Sequence, residues 1–287
     1  MSLADQLGGT EGDLLGVYRV IGSGSGGTAS SSALRDQILR LSQPRVLRQC
    51  LECRCAEGFG SMLALSDAVL FEALGRRPAP SMPRMVPIAP NLRGFMREAV
   101  EHGMVGAGLR RAWRVGPVAL AGMGVRGLGR IAPLARRDFP TMLSAFIELE
   151  LADFKRYDPP LVFLQAQITD LALAMRSPMI LESFSQAVAR RTGAAAGLAT
   201  YNFGHLMGSL KAWGLETAAI LTPWEPGGGG MRPSHEACLK AARHCQVPIW
   251  GERKGSLCGP DPPLRAALTK MGLAGVVREE PALWSTE

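Results

Sequence analysis

From Leu161 to Arg278 the chain alternates short apolar runs with stretches of helical period, and that alternation leaves few folds open. An apolar run of about four to eight residues bounded by turn signals fits a strand buried on both faces, and helical crossovers between such strands build a parallel sheet. Leu161–Ala166 (LVFLQA) is the first of these strands. Ser177-Pro178 then opens a helix with apolar Ile180, Leu181, Phe184 and Val188, which ends on basic Arg190-Arg191 before Gly193. Ala195–Thr200 follows as a strand, and a helix runs from Phe203 to Trp213 and stops at Gly214. Thr217–Thr222, a glycine loop at 227–230 and a helix N-capped by Ser234 form the next unit. Val247–Gly251, a helix starting in the Pro262-Pro263 pair and a short strand at Gly275–Arg278 complete the series.

The first half is less regular. Val17–Ile21 reads as the first strand before a helix at Ala33–Leu41, Val46–Cys53 as the second before a helix at Ser61–Leu74, and Met85–Ala89 as the third. Eight parallel strands alternating with helices predict an α/β chain folded as one (β/α)₈ TIM barrel over residues 1–287, with its chemistry on the loops after the strands. Between strands three and four, Asn91–Tyr157 spends roughly 67 residues where one crossover helix is needed. Met142–Phe154 fits that helix, with Leu143, Phe146, Ile147 and Leu151 inward, and the Arg- and Gly-rich stretch of about 92–137 reads as a helical insertion.

At 287 residues and 47% apolar content the chain can bury a large core, which excludes disorder, a small disulfide scaffold and a fibrous repeat. The net charge of +7 comes from one place, because Arg110, Arg111, Arg114, Arg126, Arg130, Arg136 and Arg137 lie in a stretch without Asp or Glu. Met104, Leu109, Trp113, Val118, Leu128 and Leu134 are interleaved with them, a pattern suited to a lid, an oligomer contact or the headgroups of an anionic membrane. Nucleic acid fits less well, since Trp113 is the only aromatic there and lysine is absent. Residues 1–16 have no basic n-region or apolar h-region, and no apolar run reaches the ~20 residues of a spanning helix, so a cytoplasmic protein without a transmembrane segment is expected.

Six cysteines without a secretory signal point to reduced thiols. Cys50, Cys53 and Cys55 form C-x₂-C-x-C, but a closed tetrahedral site needs a fourth ligand and no second close pair exists, so no metal is expected. Gly22–Gly27 contains G-x-G-x-x-G after a strand, yet Thr28–Ser32 separates the glycines from the helix that a dinucleotide motif would start inside.

Four segments of the second half, LVFLQ, GLATYNF at Gly197–Phe203, AILTPWEP at Ala219–Pro226 and VPIWGERKGSL at Val247–Leu257, resemble in order and spacing the strand ends of the aldo-keto reductases. Arg54–Gly60 (RCAEGFG) is similar to that family's D-x-A-x-x-Y-G segment. The resemblance implies a (β/α)₈ barrel, NADP as cofactor and carbonyl reduction by a Tyr, Lys, Asp and His tetrad. It places Arg54 at the Asp, Phe59 at the Tyr, Pro90 or Asn91 at the Lys and Gln165 at the His, so the tetrad is substituted throughout. A phenyl ring has no proton to give, which removes the family's general acid. Ala199 and Leu221 also replace cofactor contacts and Asn202 alone is kept, so NADP is disfavoured.

Other polar residues near the strand ends supply the remaining candidates. Lys254, with Glu252 or Glu225 to move protons, could form an imine as barrel lyases do, and a solvated loop lysine is the competing reading. His205, Gln165 and Glu252 are the further catalytic candidates. Asn202, Trp224, Glu225, Gln167, Asn91 and Arg54 are the candidates for binding substrate or cofactor, and Asp170 shares the same face. The expectation is a diverged aldo-keto-reductase-like barrel that holds a small organic ligand at the C-terminal face, with its reaction unnamed. Three alternatives stand beside it: an NADP-dependent oxidoreductase with an atypical site, a Schiff-base lyase or aldolase using Lys254, and a non-catalytic protein held at anionic membranes through Arg110, Arg111, Arg114, Arg126 and Arg130.

Overall fold

The computed structural model describes residues 7, 13–17, 39–76, 78–92, 94–103, 139–224, 230–252 and 273–278. Eight strands, β1 (Leu14–Gly16), β2 (Ser61–Ala64), β3 (Arg84–Ala89), β4 (Leu161–Leu164), β5 (Ala195–Ala199), β6 (Ile220–Pro223), β7 (Ile249–Glu252) and β8 (Leu273–Arg278), pair in sequence order. Every pairing is parallel, and β8 pairs back onto β1 with Leu14 opposite Val277, which closes the sheet. The expected closed parallel barrel is therefore the fold.

Helices α1 (Pro44–Ala56) and α2 (Ala68–Leu74) flank β2, and residues 94–103 form α3 after β3. Next come α4 (Phe139–Phe154), α5 (Ala166–Ala174), α6 (Pro178–Arg191), α7 (Phe203–Trp213) and α8 (His235–Arg243). Within the second half the local chemistry matches the expectation. Pro178 occupies the first turn of α6, Gly214 ends α7 in the left-handed region at φ 65°, and the Ser234 side chain accepts from the Ala237 N–H to cap α8.

Three expectations in the first half are overturned. Val46–Cys53 lies in α1 rather than in a strand: Leu47, Cys50 and Leu51 are buried at i, i+3 and i+4, and Pro44 stands in the first turn. Ser61–Leu74 is not one helix, because the fully buried SMLA run is β2 and α2 starts only after Asp67. The first strand lies at Leu14–Gly16, ahead of the expected Val17–Ile21, although the Val17 N–H still donates to the Leu63 carbonyl at 3.0 Å. The expected crossover helix is present as α4, and α5 is a further helix between β4 and α6. Of the proposed insertion, 104–137 lies outside the described residues, as do the Gly22–Gly27 loop and the Pro262 helix.

Strand parity sorts the core. Leu14, Leu63, Val86, Leu161, Phe163, Ala199, Ala219, Leu221, Trp250 and Val277 cluster inside the barrel, while the alternate positions pack outward on the helices. Phe163 and Trp250 meet edge to face, with centroids 6.3 Å apart, and fill much of that interior. Space for Phe163 is made by Gly197, where an added Cβ would lie 2.7 Å from two ring carbons.

Candidate functional site

At the C-terminal ends of the strands the inward positions change character. The parity that sends Leu161 and Phe163 inward continues through Gln165, whose backbone is still extended at φ −60° and ψ 138°, and the parity of Trp250 continues to Glu252. Leu65 and Ala199 belong to the same inner cluster, so two nearly buried polar side chains, Gln165 and Glu252, crown an apolar barrel three strands apart. Gln165 is held by its backbone: its N–H donates to the Ala89 carbonyl at 2.9 Å. Its Oε1 accepts from the Leu92 N–H at 3.4 Å, and among the described residues its Nε2 has no partner.

Asn91 braces the wall beside it. Its backbone N–H lies 2.8 Å from both Glu150 carboxylate oxygens, its Nδ2 donates to the Ser66 carbonyl at 2.8 Å, and its Oδ1 accepts from the Gly94 N–H at 2.9 Å. One buried asparagine thus ties the ends of β2 and β3 to the start of α3 and to α4. Glu150, only 3% exposed, is a participant that sequence reasoning missed. The available signal was an acidic residue one position from Leu151 on a helix otherwise rich in apolar residues, which demands a buried donor.

A second polar corner forms after β5. The Thr200 Oγ1 donates to Asp170 Oδ1 at 2.5 Å, the Tyr201 N–H donates to Asp170 Oδ2 at 3.2 Å, and the Asn202 N–H donates back to Thr200 Oγ1 at 2.9 Å. Asp170 therefore fastens α5 to the end of β5, and Asn202 stands at the start of α7 without capping it through its side chain.

Other candidates fall elsewhere. Arg54 lies in α1, ahead of β2, where its guanidinium pairs with Glu57 at 2.5 Å. Phe59 also precedes β2 and carries the Arg278 guanidinium over its ring at 5.4 Å. Both sit at the entrance to the strand, so the likeness of Arg54–Gly60 to a motif after a barrel strand is corrected by the late position of β2. Trp224 is fully buried, edge-on to Phe203 at 6.0 Å, and presents no surface to a ligand. Gln167 and His205 are exposed on α5 and α7. Glu225 and Lys254 lie outside the described residues, as do Arg110, Arg111, Arg114, Arg126 and Arg130.

Among the described residues, no group of three or more His, Cys, Asp or Glu side chains is placed to hold a metal ion. Burial pushes the thiols of Cys50 and Cys55 up, which works against the thiolate a soft metal needs. Among the same residues no helix is long and apolar enough to cross a membrane. Comparison with protein-family models, with curated proteins and with solved structures returns no match, so the likeness to aldo-keto reductases rests on the barrel and on the four segments of the second half alone.

Proposed function

We propose that the protein is a cytoplasmic (β/α)₈ barrel that binds a small polar organic molecule at the C-terminal mouth, with Gln165 and Glu252 as its contacts. The observation that carries this reading is the pair of polar side chains at inward positions above a core that is apolar down to Phe163 and Trp250. In essentially every characterised enzyme of this architecture the same end of the strands holds the ligand. That analogy raises the expectation and does not name a reaction.

The chemistry of the two groups sets the ligand. The Gln165 amide N–H₂ offers donors to a carbonyl or hydroxyl oxygen, and an ionised Glu252 accepts from hydroxyl or ammonium groups. Asn91, Glu150, Asp170 and Thr200 hold the rim in place from behind, as positioning residues. A thermal-shift screen of polar metabolites, with NADPH included because of the family likeness, tests the reading. Ligands that raise the melting temperature of the wild type are expected to lose at least tenfold in affinity on both Gln165→Ala and Glu252→Gln, as loss of a hydrogen bond to a charged or buried group costs about 1.5–3 kcal/mol. Hits that bind both variants as tightly as the wild type would place the site elsewhere.

A further inference from the structure

Glu252 points into the barrel. Trp250, two residues back on β7, belongs to the inner cluster, and a Cβ added to the intervening Gly251 would lie 3.0 Å from the Cβ of Trp224, in the outer cluster that packs on the helices. The strand register gives its height. Ile88 pairs through Phe163 with Gly197, Ala199 through Leu221 with Trp250, Glu252 through Val277 with Leu14, and Gly16 through Leu63 with Val86. In each case the partner reached two strands on lies two residues before the next member of the set: Gly197 before Ala199, Trp250 before Glu252, Leu14 before Gly16, Val86 before Ile88. A step to the next strand of a TIM barrel at constant height moves one residue along it, so Gly16, Ile88, Ala199 and Glu252 form one layer.

That layer is poor in side-chain volume. The one beneath it is made of Leu63, Phe163, Leu221 and Val277, each 3% exposed or less. Above them the two members that flank Glu252 are Gly16, with no side chain, and Ala199, with one methyl. Ile88 and Ala199 keep 5% exposure and Glu252 keeps 9%, so solvent reaches this layer from the mouth and stops at Phe163 and Trp250. We infer that the layer is the inner subsite of the mouth, that it takes a primary ammonium group on a short aliphatic stem, and that Gly16 and Ala199 set its size. The inference rests on the mouth reading above and names its ligand class, an aliphatic amine. A carboxylate offers about four lone-pair sites on its two oxygens, so Glu252 accepts from a ligand beside any contact with the chain itself. An ammonium matches its charge and donates short charge-assisted bonds, where a hydroxyl supplies one neutral donor. Ile88 and Ala199 then line the stem.

The test uses the full chain with n-butylamine, butan-1-ol and butyrate as probes, read by methyl NMR. n-Butylamine is expected to shift the methyl signals of Ile88 and Ala199 in a saturable way, butan-1-ol to bind about tenfold more weakly or worse, and butyrate not to bind. Glu252→Gln is expected to lower the amine affinity by about tenfold or more and to leave that of the alcohol nearly unchanged. Ala199→Val and Gly16→Ala, which fill the layer from either side of an untouched Glu252, are each expected to weaken the amine. Equal binding of amine and alcohol, unchanged amine affinity on Glu252→Gln or on both filling variants, shifts confined to methyls outside the layer, or no saturable shift would each overturn the inference. The mouth reading keeps a separate readout: uncharged polar ligands that bind in a Gln165-dependent way while n-butylamine does not would sink the amine subsite alone, and the lack of any ligand sensitive to Gln165 or Glu252 would sink both.

Discussion

Glu148 is 7% exposed and faces two guanidinium groups, with Arg190 at 3.0 Å and Arg191 at 2.7 Å. Burial alone would raise its carboxyl, but the hydrogen bonds and charges of Arg191 and Arg190 outweigh that and hold it below the usual carboxylate range. A carboxyl whose folded value is depressed contributes stability that is complete above its unfolded value, near 4.5, and is lost as pH falls through the lower folded value. Glu148→Gln is accordingly expected to cost about 1–2 kcal/mol at neutral pH, a modest figure because Arg190 is half exposed, and to flatten the acid limb of the stability curve below pH ~4.5. Urea unfolding at a series of pH values checks both. Gly197 gives a steric counterpart. An alanine Cβ there would lie 2.7 Å from the Phe163 ring and 3.2 Å from the Ala219 carbonyl, and Phe163 is braced by Trp250, so Gly197→Ala is expected to destabilise by about 1–3 kcal/mol in the same assay. Neither residue was legible in the sequence. Glu148 reads as one more polar position on a helix, and the closeness of Gly197 to Phe163 comes from a register between β4 and β5 that no local pattern encodes. The places of Gln165 and Glu252 at the strand ends were legible, because each follows an apolar run.

At the scale of elements, legibility followed the start and stop signals. Where Pro178, Gly214 and Ser234 punctuate the chain, α6, α7 and α8 begin or end as expected. In the first half the signals conflict. Four apolar residues in a row at Met62–Leu65 suit a buried strand and a buried helical turn equally, and α1 carries Val46 and three cysteines, residue types that dilute its helical period. The decisive mark was Asp67, whose side chain accepts from the Val69 N–H at 2.8 Å and the Leu70 N–H at 3.4 Å and so fixes the start of α2 after β2. Asp67→Ala is expected to cost about 1 kcal/mol, and Ser234→Ala, which removes a single longer bond of 3.2 Å, somewhat less. Denaturant midpoints measured side by side check the order, and an equal or reversed cost would mean that the α2 cap does not set the β2–α2 boundary. The shift of β2 also moves Arg54 and Phe59 to the strand entrance, so an argument about proton donors built on them does not reach the mouth.

For the whole molecule, closure is what gives the barrel a mouth. The pairing of β8 with β1 removes the sheet edges, collects eight strand ends into one ring and puts Gln165 and Glu252 at the ends of β4 and β7 in that ring. The barrel was legible from alternation alone because each β-α unit carries the same signal, whereas the chemistry of the mouth depends on a handful of side chains brought together from distant units. A crystallographic fragment screen tests this account most directly. The account predicts a parallel barrel closed by eight strands and fragments clustering at the C-terminal mouth, with polar atoms on the Gln165 amide or the Glu252 carboxylate. An open sheet, or fragments confined to the N-terminal end and the helical layer with the mouth empty, would contradict it.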